Sequence, residues 1–123
     1  WHRFRTRWIC PASAARPALA DWVKVCAALG LRLSVLPSGC CGVAGTYGHE
    51  AEHRAMSERI YGLSWAAHVA GKGRSGRLLA DGYSCRAQVK LVDGLRLPHP
   101  VEILRDHLAA GPLPGRRTTS LDA

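Results

Sequence analysis

Apolar residues recur at two different periods along the first part of the chain, which predicts alternating strands and helices. Over residues 19–29 they recur at helical spacing, and Gly30 follows as a stop signal. Over residues 31–36 apolar and polar residues alternate, which is typical of a strand, and residues 7–10 form a shorter apolar segment that we also interpret as a strand. This part of the chain therefore predicts a β-α-β unit.

The next part of the chain repeats the alternation with a longer helix. We expect this helix at residues 49–70, and its predicted apolar face consists of Met56, Ile60, Leu63 and Ala67. Residues 77–80 are predicted to form a third strand, 86–92 a short helix, and 100–110 a last helix that begins at a proline, which suits the first helical position. The order β-α-β-α-β-α favours an α/β fold, a small parallel sheet with flanking helices.

Four of the five cysteines follow the predicted strands. Cys10 ends the first strand. The adjacent pair Cys40-Cys41 follows the second strand on a glycine-rich turn, and Cys85 follows the third. Because the carboxyl ends of parallel strands lie at one edge of a sheet, where ligands bind, we expect these four thiols to converge. The helices that follow point their N-termini at the same edge, and their dipoles favour thiolates and an anionic cluster.

Convergent thiols point to a metal centre. Four thiolates are the usual ligands of a cubane iron–sulfur cluster and also of structural zinc. Zinc sites are usually built on C-x2-C pairs, which this chain lacks, so we favour the iron–sulfur interpretation. An odd number of cysteines also excludes a complete internal disulfide framework. The fifth, Cys26, lies on the apolar face of the first helix, and we expect it to be a buried core residue.

Three separate motifs occur in order along the chain. They read GCCGVAGTYGHE at 39–50, ADGYSCRAQ at 80–88 and LPHPVE at 97–102. Together they resemble the cysteine-rich CCG domain of heterodisulfide reductase subunits, glycolate oxidase iron–sulfur subunits and glycerol-3-phosphate dehydrogenase subunits. The closer resemblance, over roughly residues 19–108, is to the C-terminal part of large FAD-linked oxidases of the D-lactate and D-2-hydroxyglutarate dehydrogenase type.

This resemblance implies that Cys40, Cys41 and Cys85 bind an iron–sulfur cluster. Cys10 is the further candidate ligand because of its place at the end of the first predicted strand, and four thiolates favour the 4Fe-4S type. It implies a Rossmann-like unit that forms one half of a CCG domain. The implied role is electron transfer from an FAD, held on another domain or subunit, to an acceptor such as a quinone or an electron carrier. We therefore expect no dehydrogenase activity from the isolated chain.

The sequence departs from the family pattern at two places. The general pattern ends in C-x-x-C, whereas Gln88 takes the last position here, as in many FAD-linked members. The run WICP at 8–11 replaces a His-Cys-His-Gln-like run. We therefore interpret residues 1–18 as an atypical lead-in, 19–110 as a partial CCG-type iron–sulfur domain and 111–123 as a disordered tail. A second CCG unit, in cis or from a partner, would then complete the cluster site.

The run HEAEH at 49–53 satisfies the H-E-x-x-H pattern of zinc peptidases. On a helix His49 and His53 would share a face, and Glu50 would serve as a general base. The only nearby third ligand, His68, lies ~22 Å further along the same predicted helix, at ~1.5 Å per residue, and cannot close the site. A zinc-binding structural or peptidase-like domain is the alternative function, and we favour a polar, dipole-matched helix start for this motif.

Composition and charge limit the classes of function that remain for this chain. The chain has 123 residues, which is one small domain, and a formal net charge of +8. The charge is scattered and lacks aromatic–basic interleaving beyond the first eight residues, so we expect no nucleic-acid partner. No apolar run approaches the ~20 residues of a membrane span, and no signal-peptide pattern is present. The expected setting is cytoplasmic, with membrane association only through partners.

Overall fold

A three-stranded parallel sheet organises the molecule. The computed structural model describes residues 6–11 and 18–110, and its strands are β1 (Thr6–Cys10), β2 (Arg32–Val35) and β3 (Leu78–Ala80). The strand order is β2-β1-β3, so the first strand is central and pairs in parallel with both others. The predicted α/β fold with a small parallel sheet is confirmed, and the carboxyl ends of all three strands lie at one edge.

Four helices flank the sheet. They are α1 (Leu19–Ala28), α2 (Arg54–Lys72), α3 (Tyr83–Asp93) and α4 (Pro100–Ala109). All four were expected, although α3 begins earlier than the predicted start at residue 86. None of the described helices combines the length and apolarity that crossing a membrane requires. The predicted tail at 111–123 and much of the predicted lead-in lie outside the described residues.

The alternation of side chains along β1 creates two cores, one on each face of the sheet. Cys10 faces α2 and α3, where it joins Tyr61, Trp65 and Val89 in one buried cluster. Its neighbour Ile9 belongs to a second cluster, together with Leu19, Cys26, Leu33, Leu79 and Ile103. The expectation that Cys26 is a core residue is confirmed, and it lies on the face of the sheet opposite Cys10.

The predicted apolar face of α2 is wrong. Leu63 is 83% exposed and Met56 is 46% exposed, while the buried positions are Ser57, Tyr61, Trp65 and Val69. The two aromatic rings offer more apolar area than Leu and Met, and each also has a hydrogen-bond partner for its polar atom. The Tyr61 hydroxyl donates to Asp93, and the Trp65 indole N–H donates to the Gly39 carbonyl at 2.9 Å.

A histidine caps α4. The backbone N–H of Val101 donates to His99 Nδ1 at 2.9 Å, and the His99 N–H donates to the Glu102 carboxylate at 2.7 Å. These two bonds satisfy amide groups that a helix start otherwise leaves without partners. Burial, followed by the nearby Arg86 charge, lowers the pKa of His99 below 6.5, in keeping with a neutral ring that accepts at Nδ1.

We expect acid to weaken this cap. Because the folded state lowers the pKa of His99, its contribution to stability is present above about pH 6.5 and is lost as the pH falls below that value. His99→Asn keeps a capping oxygen without a titrating ring. Between about pH 7.5 and 5.5, the free energy of unfolding of the parent chain should fall by up to about 1 kcal/mol more than that of this variant. This difference is the ordinary contribution of an N-cap.

Urea unfolding at both pH values measures this difference. The carboxyl of Glu102 does not interfere, because Arg96 lowers its pKa below 4.5, outside the window. Equal pH dependence in the parent chain and the variant would show that His99 does not act as a titrating cap.

Candidate cysteine centre

Three elements deliver buried thiols to the carboxyl edge of the sheet. Cys10 is the last residue of β1 and is fully buried, Cys41 lies in the loop after β2 and is 4% exposed, and Cys85 lies in the first turn of α3 and is 5% exposed. All three belong to the same buried cluster between the sheet and α2. The predicted convergence of these three cysteines is therefore present, and each is a free thiol.

The fourth candidate, Cys40, lies on the solvent side of this centre. It is exposed, whereas its neighbour Cys41 is buried. The backbone N–H of Gly42 lies 3.3 Å from the Cys40 sulfur and donates to it. The two adjacent thiols thus differ in environment, one surrounded by protein and one in contact with water.

The loop that carries these thiols packs directly against α2. Gly42 has φ +99°, and a Cβ at this position would lie 2.2 Å from the Ser57 carbonyl oxygen. A Cβ at Gly48 would lie 2.6 Å from the Ser57 hydroxyl. Only glycine fits both points of contact, because any side chain would push the loop away from the helix. This approach is what buries Cys41.

A glutamine on α3 joins the loop to α2. Gln88 is fully buried, and its side-chain N–H groups lie 3.0 Å from the Cys41 carbonyl and 2.9 Å from the Ser57 hydroxyl. Its side-chain oxygen accepts a hydrogen bond from Arg54 at 2.9 Å. The sequence marked Gln88 only as the place of a missing thiol, and the structure makes it a hydrogen-bonding centre beside Cys41.

The buried thiols differ in acidity. The hydrogen bond from the Cys85 thiol is the main cause that lowers the pKa of Cys41 to about 6, with the backbone of Val43 contributing. The same hydrogen bond, together with burial, raises the pKa of Cys85 above its ordinary 9.0. Cys41 is therefore the first of the pair to ionise, and Cys85 keeps its proton as the donor.

Burial also makes the thiol of Cys10 difficult to ionise. Burial raises its pKa from 9.0 to about 12, and a hydrogen bond with Ser38 and the charge of Lys72 only partly oppose this effect. A buried, protonated thiol of this kind becomes a ligand when a cation displaces its proton.

The spacing of the cysteine sulfurs can be compared with that of a zinc site. A single zinc ion holds its sulfurs at about 2.3 Å and therefore brings them to about 3.8 Å from one another. In the described part of the chain, no three cysteine sulfurs lie within 4.8 Å of one another. The cysteine sulfurs of the described residues therefore do not have the spacing of a closed tetrahedral zinc site.

The HEAEH run at 49–53 does not form a turn of α-helix. It is divided between two 3-10 turns, Tyr47–His49 and Ala51–His53, and Glu50 between them has extended backbone with ψ 131°. The long helix α2 begins only at Arg54. The expectation that its two histidines share a helical face is therefore wrong. The predicted helix start at residue 49 is also too early, since only the 3-10 turn Ala51–His53 leads directly into α2. The loop must instead curve so that it can pack against α2.

The side chains of this run form a surface group of their own. His53 pairs with the Glu50 carboxylate at 3.0 Å and stacks on the Tyr47 ring, with ring centroids 4.0 Å apart. The ligand atoms of Glu50, Glu52 and His53 lie within 4.8 Å of one another, and His49 is not part of this group. The geometry of a zinc peptidase, with both histidines of the motif on one ion, is not present.

The contact of Gly42 with α2 generates a stability prediction with an internal control. Gly42→Ala should lower the free energy of unfolding by about 3 kcal/mol or more, because it adds a clash with the Ser57 carbonyl to the strain of a positive φ. Gly45→Ala should cost only about 1–2 kcal/mol, since Gly45 also has positive φ, +73°, but has nothing within 4 Å of its Cβ position. Denaturant unfolding of both variants measures the difference, and equal costs would contradict the close contact.

Comparison with known proteins relates this chain to dehydrogenases. It is 47% identical over 96 residues to D-2-hydroxyglutarate dehydrogenase of Escherichia coli (strain K12), a match that covers 77% of this chain and 9% of that protein. D-2-hydroxyglutarate dehydrogenase of Pseudomonas putida is 41% identical over 102 residues, covering 82% of this chain and 10% of that protein. No family model and no solved structure matches the chain.

A second kind of relative is part of an assembly. A subunit of the anaerobic glycerol-3-phosphate dehydrogenase of Escherichia coli (strain K12) is 36% identical over 80 residues, which cover 65% of this chain and 20% of that protein. The chain spans about a tenth of the length of the D-2-hydroxyglutarate dehydrogenases that it matches. These similarities agree with the resemblance to the C-terminal part of the oxidases, and they support an oxidoreductase-related module.

Proposed function

We propose that this chain is the iron–sulfur electron-transfer module of an FAD-linked 2-hydroxyacid oxidoreductase. The observation that carries the proposal is the meeting of Cys10, Cys41 and Cys85 in one buried cluster, with Cys40 on its solvent side. Similarity to D-2-hydroxyglutarate dehydrogenases supports a 2-hydroxyacid as the substrate of the whole protein.

The four cysteines would hold a cluster of the 4Fe-4S type. When bound, such a cluster accepts and releases single electrons at a potential that depends on hydrogen bonds to sulfur and on exposure to solvent. The chain contributes both controls: it excludes water from three thiols, and it places the Gly42 N–H against the sulfur of Cys40. Cys85 lies in the first turn of α3, where the helix dipole would stabilise its thiolate once a cation has displaced the proton.

Assembly of this site would release protons. The raised pKa values of Cys10 and Cys85 mean that both thiols are protonated at neutral pH, so a cation must displace their protons on binding. The pKa of Cys41 is instead lowered, mainly by the hydrogen bond from Cys85.

The remaining parts of the electron path would lie outside this chain. An FAD-binding dehydrogenase domain or subunit would deliver electrons, and a quinone or an electron carrier would accept them. A second CCG unit, in cis or from another subunit, would be a further partner. The small share of each relative that this chain covers, and the fact that one of them is itself a subunit, support such partners.

Iron content tests the ligand assignment directly. Protein purified without oxygen should contain iron and sulfide and should show a broad visible absorbance that bleaches on reduction. Cys85→Ser should lose most of the iron, whereas Cys26→Ser should keep it, although both cysteines are 5% exposed. The two variants are matched in substitution and burial, and they lie on opposite faces of the sheet. A colourless parent protein with stoichiometric zinc would overturn the proposal.

Activity assays test whether substrate oxidation takes place outside this chain. The isolated chain should not oxidise D-lactate or D-2-hydroxyglutarate in the presence of an artificial electron acceptor, because the flavin step is assigned to another domain or subunit. Substrate oxidation by the chain alone, at a rate above a heat-inactivated control, would show that this assignment is wrong.

A further inference from the structure

We propose that Gln88 is a positioning residue which, together with Arg54, closes the cysteine loop before any metal binds. This inference rests on the proposed function in that it assigns the loop to a metal centre. We call Gln88 and Arg54 the loop clamp. It is separate from the ligands, since none of its members is a cysteine.

The clamp holds both ends of the loop. At one end, the Gln88 side-chain N–H lies 3.0 Å from the Cys41 carbonyl oxygen and donates to it. At the other end, Arg54 donates to the Gly48 carbonyl at 3.0 Å. The bond of 2.9 Å from Arg54 to the Gln88 side-chain oxygen connects the two ends. The loop from 41 to 48 is therefore closed by one connected network.

The charge of Arg54 fixes which way the Gln88 amide faces. A guanidinium group has only donors, so it must face the amide oxygen, and the amide nitrogen is left to donate to the Cys41 carbonyl and to Ser57. A hydrogen bond from a charged donor is also stronger than one from a neutral donor. With its oxygen bound by Arg54 and its nitrogen donating to oxygens, Gln88 is an organiser of the site and not a ligand.

The clamp acts at the point where the loop lies closest to α2. The Ser57 hydroxyl accepts from Gln88 at 2.9 Å, and the Ser57 carbonyl is the atom that leaves no room for a side chain at Gly42. Gln88 is fully buried, so a lost hydrogen bond to the Cys41 carbonyl would leave that oxygen without a water molecule to replace the donor. The clamp thus keeps Cys41 turned into the core.

A closed loop has a consequence for metal binding. If the loop is ordered in the metal-free chain, the cluster does not have to supply the free energy for ordering it. Removal of the clamp should therefore loosen the loop and speed metal loss while all cysteines remain. This pattern distinguishes a positioning residue from a ligand.

Two substitutions at one position isolate the donation to Cys41. Gln88→Met keeps the approximate size of the side chain and removes its polar atoms. Gln88→Glu keeps an acceptor for Arg54 and removes the donors. Ser57→Ala is the control, since it removes a neighbouring acceptor of Gln88 and leaves the bonds from Gln88 to the Cys41 carbonyl and from Arg54 to Gln88 in place.

The first measurement uses the metal-free chain. Amide hydrogen exchange at residues 42–48 should become about tenfold faster in both Gln88 variants, the factor expected for loss of a buried hydrogen bond, and should change much less in Ser57→Ala. Exchange in α1, on the other face of the sheet, is the internal reference for folding. If exchange in α1 shows that Gln88→Met does not fold, the comparison is made with Gln88→Glu alone.

The second measurement uses the iron-loaded chain. Both Gln88 variants should lose iron to a chelator about tenfold faster than the parent chain, and the electron paramagnetic resonance spectrum of the reduced cluster should shift. Ser57→Ala should keep the parent spectrum. A change confined to general stability would leave that spectrum unaltered.

The possible failures are distinguishable. A parent chain without iron would overturn the proposed function, while the exchange data on the metal-free chain would still test the clamp. An iron-containing parent whose Gln88 variants keep parent exchange, iron release and spectrum would overturn the role of Gln88. Equal effects of Ser57→Ala and the Gln88 variants would overturn the assignment of the closing bond to Cys41.

Discussion

The close packing of the cysteine loop on α2 is the constraint on which the rest of the site depends. At Gly42 and Gly48 the loop comes so near to Ser57 that a single methyl group would not fit at either point. Cys41 lies beside these contacts and is therefore directed into the core. Backbone packing, which requires glycine, thus decides which of two chemically identical neighbours becomes a buried thiol.

The central strand supplies the second organising element. Because side chains alternate along β1, Ile9 completes one core and Cys10 the other, so one strand supports both layers of helices. Parallel pairing then brings the ends of β2 and β3 to the same edge as the end of β1. A thiol at the end of this central strand is within reach of both neighbouring loops, which is why Cys10 and Cys85 share a cluster although they are far apart in sequence.

Much of this arrangement could be predicted from the sequence. The spacing of apolar residues indicates the strands and helices, and the carboxyl ends of parallel strands lie at the same edge of a sheet. The buried face of α2 could not, because a hydropathy pattern does not show that Tyr61 and Trp65 find partners for their polar atoms while Leu63 is left exposed. The role of Gln88 was also hidden, since a glutamine is usually a surface residue and only its partners show otherwise. Those partners are 31 to 47 residues away in the chain.

The contrast between Cys40 and its buried neighbour gives the centre a direction. Water stabilises negative charge on the outer side, while the buried thiol of Cys10 resists ionisation on the inner side. A redox group held between them would be polarised, with its added electron density drawn towards the solvent side. An electron that leaves by that side crosses less protein than one that leaves through the core. The proposed module would therefore transfer electrons preferentially through its solvent-exposed side.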